Sequence, residues 1–244
     1  IVYMQNAGLG NTINPITSYA DPEVYSLPML LMIGWRGEPG VNDEPQHKKM
    51  GRITTKLLDN LEIPYEILPN DIKEAEKSIK KAVNFMQSKK APYALLVRKK
   101  TIEEYKEEEI AQEYMMLREE AITVVADSLD REDIIVSTTG KASRELFEYR
   151  EYRSEGHETD FMNVGGMGGA SSQGLEIAMQ RPDRKIFIFD GDGSVLMHAG
   201  SLATIGYYKP KNLYHIIFDN ESHDSTGGQP TVSKTVNFVG LAKS

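Results

Sequence analysis

Short apolar runs alternate with polar loops and helical periodicity along the whole chain. In the first half, Ile1–Met4 is apolar and β-prone, and Gln5-Asn6-Ala7-Gly8 breaks it. Met29–Trp35 reads as a second, buried strand, followed by the Gly- and Pro-rich loop Arg36–Pro45. Ile53, Leu57, Leu58 and Leu61 recur at helical spacing, so a helix is predicted from about His47 to Leu61, with Pro64 barring its continuation. Tyr65–Leu68 reads as a strand, Asp71–Gln87 as a helix with Ala75, Ile79, Ala82 and Phe85 on one stripe, and Tyr93–Val97 as a strand. Residues 101–113 read as an exposed acidic linker, and the second half begins near Tyr114.

The second half repeats the pattern. Helices are predicted at Met115–Ser128, Ala142–Tyr149, Ala170–Gln180 and Val195–Tyr208. Strands are predicted at Ile134–Val136, Phe161–Val164, Ile186–Phe189 and Leu213–Phe218. Strands alternating with helices predict an α/β protein with mostly parallel, doubly wound sheets covered on both faces. Crossovers are right-handed, so successive strand ends open on one edge, where such sheets bind ligands. The loops rich in Gly and polar residues fall at that edge.

Composition narrows the picture. The 244 residues are 40% hydrophobic and 26% charged, which fits one large or two modest globular domains. The net charge of −8 argues against a nucleic-acid binder. Much of it is local, since residues 101–120 hold eight Glu against Lys106 and Arg118. The absence of cysteine excludes disulfides, thiolate metal sites and a Cys nucleophile, and accords with a cytoplasmic enzyme. The longest apolar run, Leu27–Trp35, is nine residues and contains Pro28 and Gly34, so no membrane association is expected. The chain opens at Ile1 directly into a strand-like run and stops at Ser244 in mid-pattern, as a fragment of a longer protein would.

Three loops could carry chemistry. Asp192, in Gly191-Asp192-Gly193-Ser194, lies just past one strand, and Asn220 lies 28 residues later, just past the next. If those strands are neighbours, a carboxylate and a carboxamide oxygen meet at the ligand edge. A hard cation such as Mg²⁺ takes six oxygens, and Asp192, Asn220, a carbonyl near Ser222, two phosphate oxygens and a water would supply them. The flanking glycines would let a diphosphate approach the backbone, and Ser194 would open a helix. Gly165-Gly166-Met167-Gly168-Gly169 is not a dinucleotide fingerprint, because Ser171 stands where the third glycine is needed. A loop threading past a flat ligand, with Met167 against it, is expected instead. Thr138-Thr139-Gly140-Lys141 offers an N-cap or, beside the other two loops, a second diphosphate contact.

Together these loops resemble the thiamine-diphosphate-dependent 2-oxo acid decarboxylases. The Gly191–Ser194 segment with Asn220 is similar to the magnesium–diphosphate motif of that superfamily. Three further segments resemble its phosphonopyruvate decarboxylase branch: Phe161–Ser172, Asp219–Thr231, and Ile33–Gly40 with Asp43–His47. The resemblance covers nearly the whole chain. It implies a pyrimidine-binding (PYR-like) domain at 1–110 and a diphosphate-binding (PP-like) domain at 111–244, each incomplete at the chain's outer end. It also implies a homodimer or larger homo-oligomer with the cofactor between subunits.

By the same resemblance the metal ligands are Asp192, Asn220 and Ser222, and Met167 is the wedge that bends thiamine diphosphate. Thr139, Gly166, Gly191, Gly193 and Ser194 are implied cofactor contacts. The implied reaction is non-oxidative decarboxylation of phosphonopyruvate to phosphonoacetaldehyde and CO₂ in phosphonate biosynthesis. Sulfopyruvate decarboxylation, an acetolactate-synthase-like ligation, and a catalytically incomplete relative are the alternatives. A doubly anionic substrate calls for donors, and Arg36, His47, Lys141 and His223 are the candidates on ligand-edge loops. His47 and His223 are favoured as substrate contacts, and Arg36 and Lys141 read as surface charges. His198 and His215 read as packing residues, His157 has no context, and Trp35 reads as core at a strand end. The superfamily's pyrimidine-protonating Glu lies upstream of the segment matching Gln5–Gly8. Only four residues precede that segment here and none is acidic, so no Glu is carried over.

Overall fold

Runs such as Leu30–Gly34 and Tyr93–Val97 bury both faces, which only a central parallel strand does. The computed structural model describes residues 1–103 and 114–243, and the chain divides into two compact units, Ile1–Ile110 and Ala111–Ser244. Most of the acidic stretch read as a linker, residues 104–113, lies outside the described residues.

In the first unit, β1 (Val2–Gln5), β2 (Leu30–Gly34), β3 (Tyr65–Ile67) and β4 (Tyr93–Val97) form a parallel sheet in the order β1-β2-β4-β3. Alternate residues of β2 feed opposite faces. Leu31 and Ile33 pack with Leu9, Ile16 and Leu58, while Leu30 and Met32 pack with Leu68, Ala82 and Leu95. Leu58 belongs to α2 (Pro45–Asn60), which Pro45 opens, and Ala82 belongs to α3 (Ile72–Lys89). Asp71 caps α3 by accepting from the Lys73 and Glu74 backbone N–H groups. The stripe predicted on α3 needs one correction. Ile79 is exposed at the edge of a buried face that runs through Ala75, Ala82, Phe85 and Met86.

The sequence pattern assigns no element between Gly8 and Met29. Residues 6–20 are helical: a 3₁₀ stretch, Asn6–Thr12, one α turn, Ile13–Pro15 (α1), and a π stretch, Ile16–Ala20. Gly8, Gly10 and Pro15 hide this from periodicity, and burial of Leu9, Ile16 and Ala20 stabilises it. Asn6, fully buried, anchors it. Its Nδ2 donates to the Arg36 carbonyl (2.8 Å) and to Thr54 Oγ1 (2.9 Å), and its Oδ1 accepts from the Arg36 N–H (3.2 Å). Asn6→Ala is therefore expected to destabilise the protein by about 2 kcal/mol, since buried partners lose their bonds. Thermal unfolding checks this, and an unchanged Tm would remove Asn6 from the account.

In the second unit, β5 (Ile134–Ser137), β6 (Asp160–Met162), β7 (Ile186–Gly191) and β8 (Leu213–Phe218) are parallel in the order β6-β5-β7-β8. Helices α4 (Arg118–Asp127) and α5 (Lys141–Tyr152) bury Ile122, Ala126, Ala142 and Leu146 with Ile135 and Phe189. On the other face α6 (Ala170–Gln180) buries Ala170 and Ala178 with Val136, Ile186 and Ile188.

Two helix predictions change in this unit. Met115–Leu117 are not helical. Helix α4 starts at Arg118, where the Glu120 carboxylate accepts from the Leu117 N–H (2.9 Å). The single helix predicted for Val195–Tyr208 is two, α7 (Asp192–Met197) and α8 (Gly200–Tyr208), interrupted at His198 and Ala199. Helix α7 thus begins at Asp192, and Ser194 is its third residue rather than its opening one. Among the described residues no helix is long and apolar enough to cross a membrane.

Candidate functional site

The order β6-β5-β7-β8 has a physical consequence. From β5 the chain winds outward to β6 and then back across to β7. The carboxyl ends of β5 and β7 therefore flank the crevice where an open parallel sheet takes its ligand. A cavity lies there. Thr138, Thr139 and Ala142 line it after β5, Gly191, Asp192, Gly193 and Ser194 at the end of β7 and beyond it, and Phe218, Asn220, Ser222 and His223 at the end of β8 and beyond it. Met167 closes it from the loop after β6, and Arg118, Asp224, Ser225 and Thr226 complete the wall.

Asp192 is 1% exposed. Its Oδ2 accepts from the Thr231 hydroxyl, and the Ser233 hydroxyl beside it (3.0 Å) donates to Asp219 Oδ1 (2.8 Å). The Ser233 N–H also donates to Thr231 Oγ1 (3.2 Å), so these two residues tie the carboxylate after β7 to the one after β8. Asn220 Oδ1 accepts from the Ser222 N–H (3.2 Å), which sets the first bend of the following loop. A Cβ at Gly191 would stand in open space, so the chain wall recedes beside Asp192. At Gly193 the place of a Cβ is taken by the His223 ring, whose Nδ1 lies 2.7 Å from it. A buried carboxylate, a carboxamide and open backbone around them form an all-oxygen donor set, suited to a hard cation completed by phosphate. Among the described residues no group of three His, Asp or Glu side chains could hold a metal unaided.

The other loops are locked around this point. Ser194 Oγ lies 2.8 Å from Thr138 Oγ1 and accepts from the Gly168 N–H (3.0 Å), joining the ends of β5, β6 and β7. Thr139 Oγ1 accepts from the Gly165 N–H (2.8 Å), and Ser143 Oγ donates to the Thr138 carbonyl (2.6 Å). Neither threonine caps α5, whose N-cap is Gly140. Gly168 has φ of +90° and lies under the His198 ring, so no side chain fits there. Gly166 is exposed and is not among the cavity's lining residues.

The remaining candidates lie elsewhere. His215 Nε2 is 3.3 Å from Asp190 Oδ2, within the sheet, and His157 stacks on Phe147 with ring centroids 4.5 Å apart. Lys141 Nζ donates to Asp224 Oδ1 (2.7 Å). In the first unit, Arg36 is bound in bidentate fashion by Asp43 (2.8 and 2.5 Å), and that guanidinium holds the Asp43 carboxyl well below the usual range. His47, in the first turn of α2, is pushed below its ordinary pKa by burial and by the Arg36 charge, which favours the neutral ring. The loop carrying Arg36 lies directly on α2, because Gly37 and Gly51 meet where any Cβ would strike backbone. Trp35 packs on the core there and donates from Nε1 to the Gly51 carbonyl (2.9 Å).

Sequence reasoning named Thr138 as a cap or diphosphate contact, and gave no role to Thr231 and Ser233, which hold the cavity's loops, or to Arg118 and Asp224 in its wall. No local signal marks Arg118, which is 106 residues from Asp224.

Comparison with known proteins accords with this geometry. Residues 138–243, which include the cavity's lining after β5, β6, β7 and β8, match the thiamine pyrophosphate enzyme, C-terminal TPP binding domain. This part of the chain belongs to the thiamine pyrophosphate enzymes. The whole chain is 37% identical to a phosphonopyruvate decarboxylase of Streptomyces viridochromogenes, over 98% of this chain and 62% of the relative. It is 35% identical to a phosphonopyruvate decarboxylase of Streptomyces hygroscopicus, over 98% of this chain and 61% of the relative. A sulfopyruvate decarboxylase subunit beta of Methanocaldococcus jannaschii is 41% identical over 52% of this chain and 64% of that subunit. The chain therefore spans about three-fifths of the length of the two phosphonopyruvate decarboxylases it matches.

Proposed function

We propose that this chain is part of a carboxy-lyase that decarboxylates phosphonopyruvate to phosphonoacetaldehyde and CO₂, using thiamine diphosphate and Mg²⁺. The observation that carries the reading is the 37% identity to a phosphonopyruvate decarboxylase over 98% of this chain. The cavity at the β5–β7 switch point supports it independently, because its donors suit a diphosphate and a hard cation. Thiamine diphosphate, when bound, supplies the electron sink for the pair left behind by departing CO₂.

The residues divide the work. Asp192, Asn220 and the Ser222 carbonyl would hold Mg²⁺. Thr139, Gly191, Gly193 and Ser194 would lie against the diphosphate, with Ser194 also fixing the three strand ends to one another, while Gly166 lies outside the cavity's lining. Met167 and Phe218 give the cavity apolar surface that keeps water off the reacting centre. His47 and His223 would donate to the substrate's anionic groups. Arg36 and Lys141 are committed to Asp43 and Asp224 and serve the architecture. The first unit would bind the pyrimidine and the second the diphosphate, with sites shared between subunits of a cytoplasmic homo-oligomer. No residue of this chain is assigned the role of the pyrimidine-protonating Glu.

The test is an assay of CO₂ and aldehyde release by the full-length protein on phosphonopyruvate, sulfopyruvate and pyruvate. Sulfopyruvate is the second reading, favoured by the 41% identity to the sulfopyruvate decarboxylase subunit. Turnover of sulfopyruvate alone would establish it in place of the first.

Met167→Ala is expected to lower kcat about tenfold while weakening cofactor binding less than about threefold. A wedge that holds a bound conformation acts on the reaction rather than on anchoring. Proportional losses in the two measurements, or no loss in either, would make Met167 a turn residue only.

A further inference from the structure

We propose that Asp224 is a positioning residue, a two-armed latch that holds the loop of Asn220, Ser222 and His223 closed over the cavity. The inference rests on the cofactor reading of that cavity and adds to it how the ligand is retained. After β8 the chain doubles back over residues 219–231. Ser222 pairs with Pro230, the His223 N–H donates to the Gln229 carbonyl (2.8 Å), and the Thr231 N–H donates to the Glu221 carbonyl (2.8 Å). The Thr226 and Gly228 N–H groups both reach the His223 carbonyl (3.0 and 3.1 Å), which closes the tip.

The base and the tip of this loop are held differently. The base is pinned from several sides. Ser233 donates to Asp219, Thr231 donates to Asp192, and Glu221 takes Lys234 (2.9 Å) and the Tyr114 hydroxyl. The tip rests on the turn between β5 and α5, where the Lys141 N–H reaches Ser225 Oγ (3.4 Å) and a Cβ on Gly140 would strike the same oxygen. Asp224 supplies the charge at that contact. Its Oδ1 takes Lys141 Nζ (2.7 Å), and its Oδ2 takes both terminal nitrogens of Arg118 (3.2 Å each). Arg118 is itself fixed by the two oxygens of Glu145 (2.8 and 2.7 Å).

Two cations face two carboxylates, so the cluster is electrically compensated and has no surplus charge with which to attract an anion. Its burial is intermediate, with side-chain exposures of 18% for Arg118, 33% for Asp224 and 49% for Lys141. A fully exposed pair would hold little and a fully buried one would not release. The tip passes Gly193, where the His223 ring takes the place of a Cβ, and Asp224, Ser225 and Thr226 wall the cavity, so lifting the tip would open the cavity on that side.

The test uses the full-length protein with Asp224→Asn and Lys141→Met, and Asp224→Glu as the conservative control. Amide hydrogen exchange of residues 223–229 is measured without cofactor, and the release rate of thiamine diphosphate in Mg²⁺ is measured by competition. Asp224→Asn is expected to speed both about tenfold, which corresponds to 1.4 kcal/mol. Lys141→Met should speed them less, Asp224→Glu should restore both in part, and added NaCl should speed them in the unaltered protein. Protection elsewhere should stay unchanged. Unchanged exchange in both variants would overturn the latch. Faster exchange with unchanged release would overturn its role in retaining the ligand. If the unaltered protein takes up no thiamine diphosphate, the cofactor reading fails, while the exchange data still decide whether the tip is latched.

Discussion

Asp192→Ala is expected to weaken Mg²⁺-dependent binding of thiamine diphosphate by more than about 100-fold. Asp192 brings the only formal negative charge among the three protein donors proposed for the cation. Its Oδ2 is held by Thr231, so the carboxylate is oriented before any ion arrives. Loss of the charge and of that orientation act together. Thr231→Val removes only the orientation, and a shell of that kind is worth roughly 10- to 100-fold in metal affinity. Calorimetry in Mg²⁺ and in excess chelator makes the measurement. A second readout is thermal: a ligand at 100 times its Kd stabilises the native state by about 2.7 kcal/mol, and that increment should vanish in Asp192→Ala. Wild-type affinity in the variant, or full affinity in chelator, would overturn the metal assignment.

Phosphonopyruvate is expected to be decarboxylated with a kcat/KM on the order of 10²- to 10⁴-fold above that for pyruvate. Pyruvate lacks the phosphonate, so the difference measures what the pocket offers a second anionic group. A hydrogen bond to a charged group contributes roughly 1.5–3 kcal/mol, and each 1.4 kcal/mol is about tenfold. The Arg36–Asp43 and Lys141–Asp224 pairs withdraw two of the four candidate donors. His47 and His223 remain, and an imidazole donates from at least one ring nitrogen in either charge state. His47→Ala and His223→Ala should each erode the preference by about 10-fold or more while slowing pyruvate less. Equal kcat/KM on the two substrates in cofactor-loaded enzyme would refute the substrate and leave the cofactor reading in place.

Local pattern carried much of this protein. Strands such as Leu30–Gly34 and Tyr93–Val97 were legible because a strand buried on both faces must be continuously apolar. Their punctuation was legible because Asp, Gly and Asn cluster where strands end at a ligand edge. The failures have equally local causes. Residues 6–20 hide a helical segment behind glycines and a proline, since burial of Leu9 and Ile16 overrides propensity. The break at His198 was invisible because the residues either side of it suit one helix. The break falls where the His198 ring lies against Gly168, on another strand's loop.

By itself the sequence determined two α/β halves, the loops at strand ends and the oxygen-rich character of Asp192 and Asn220, all properties of neighbours along the chain. Tertiary structure decided the strand order, and with it which loop ends share a cavity. Placing β5 between β6 and β7 brings Thr138, Gly168 and Ser194 into one hydrogen-bonded cluster and sets Asn220 beside Asp192's cavity. It also decided that Arg118 and Asp224, 106 residues apart, form one ion pair. Hydrogen bonds and charges act over a few ångströms of space whatever their separation in sequence, so such partners leave no periodic trace along the chain.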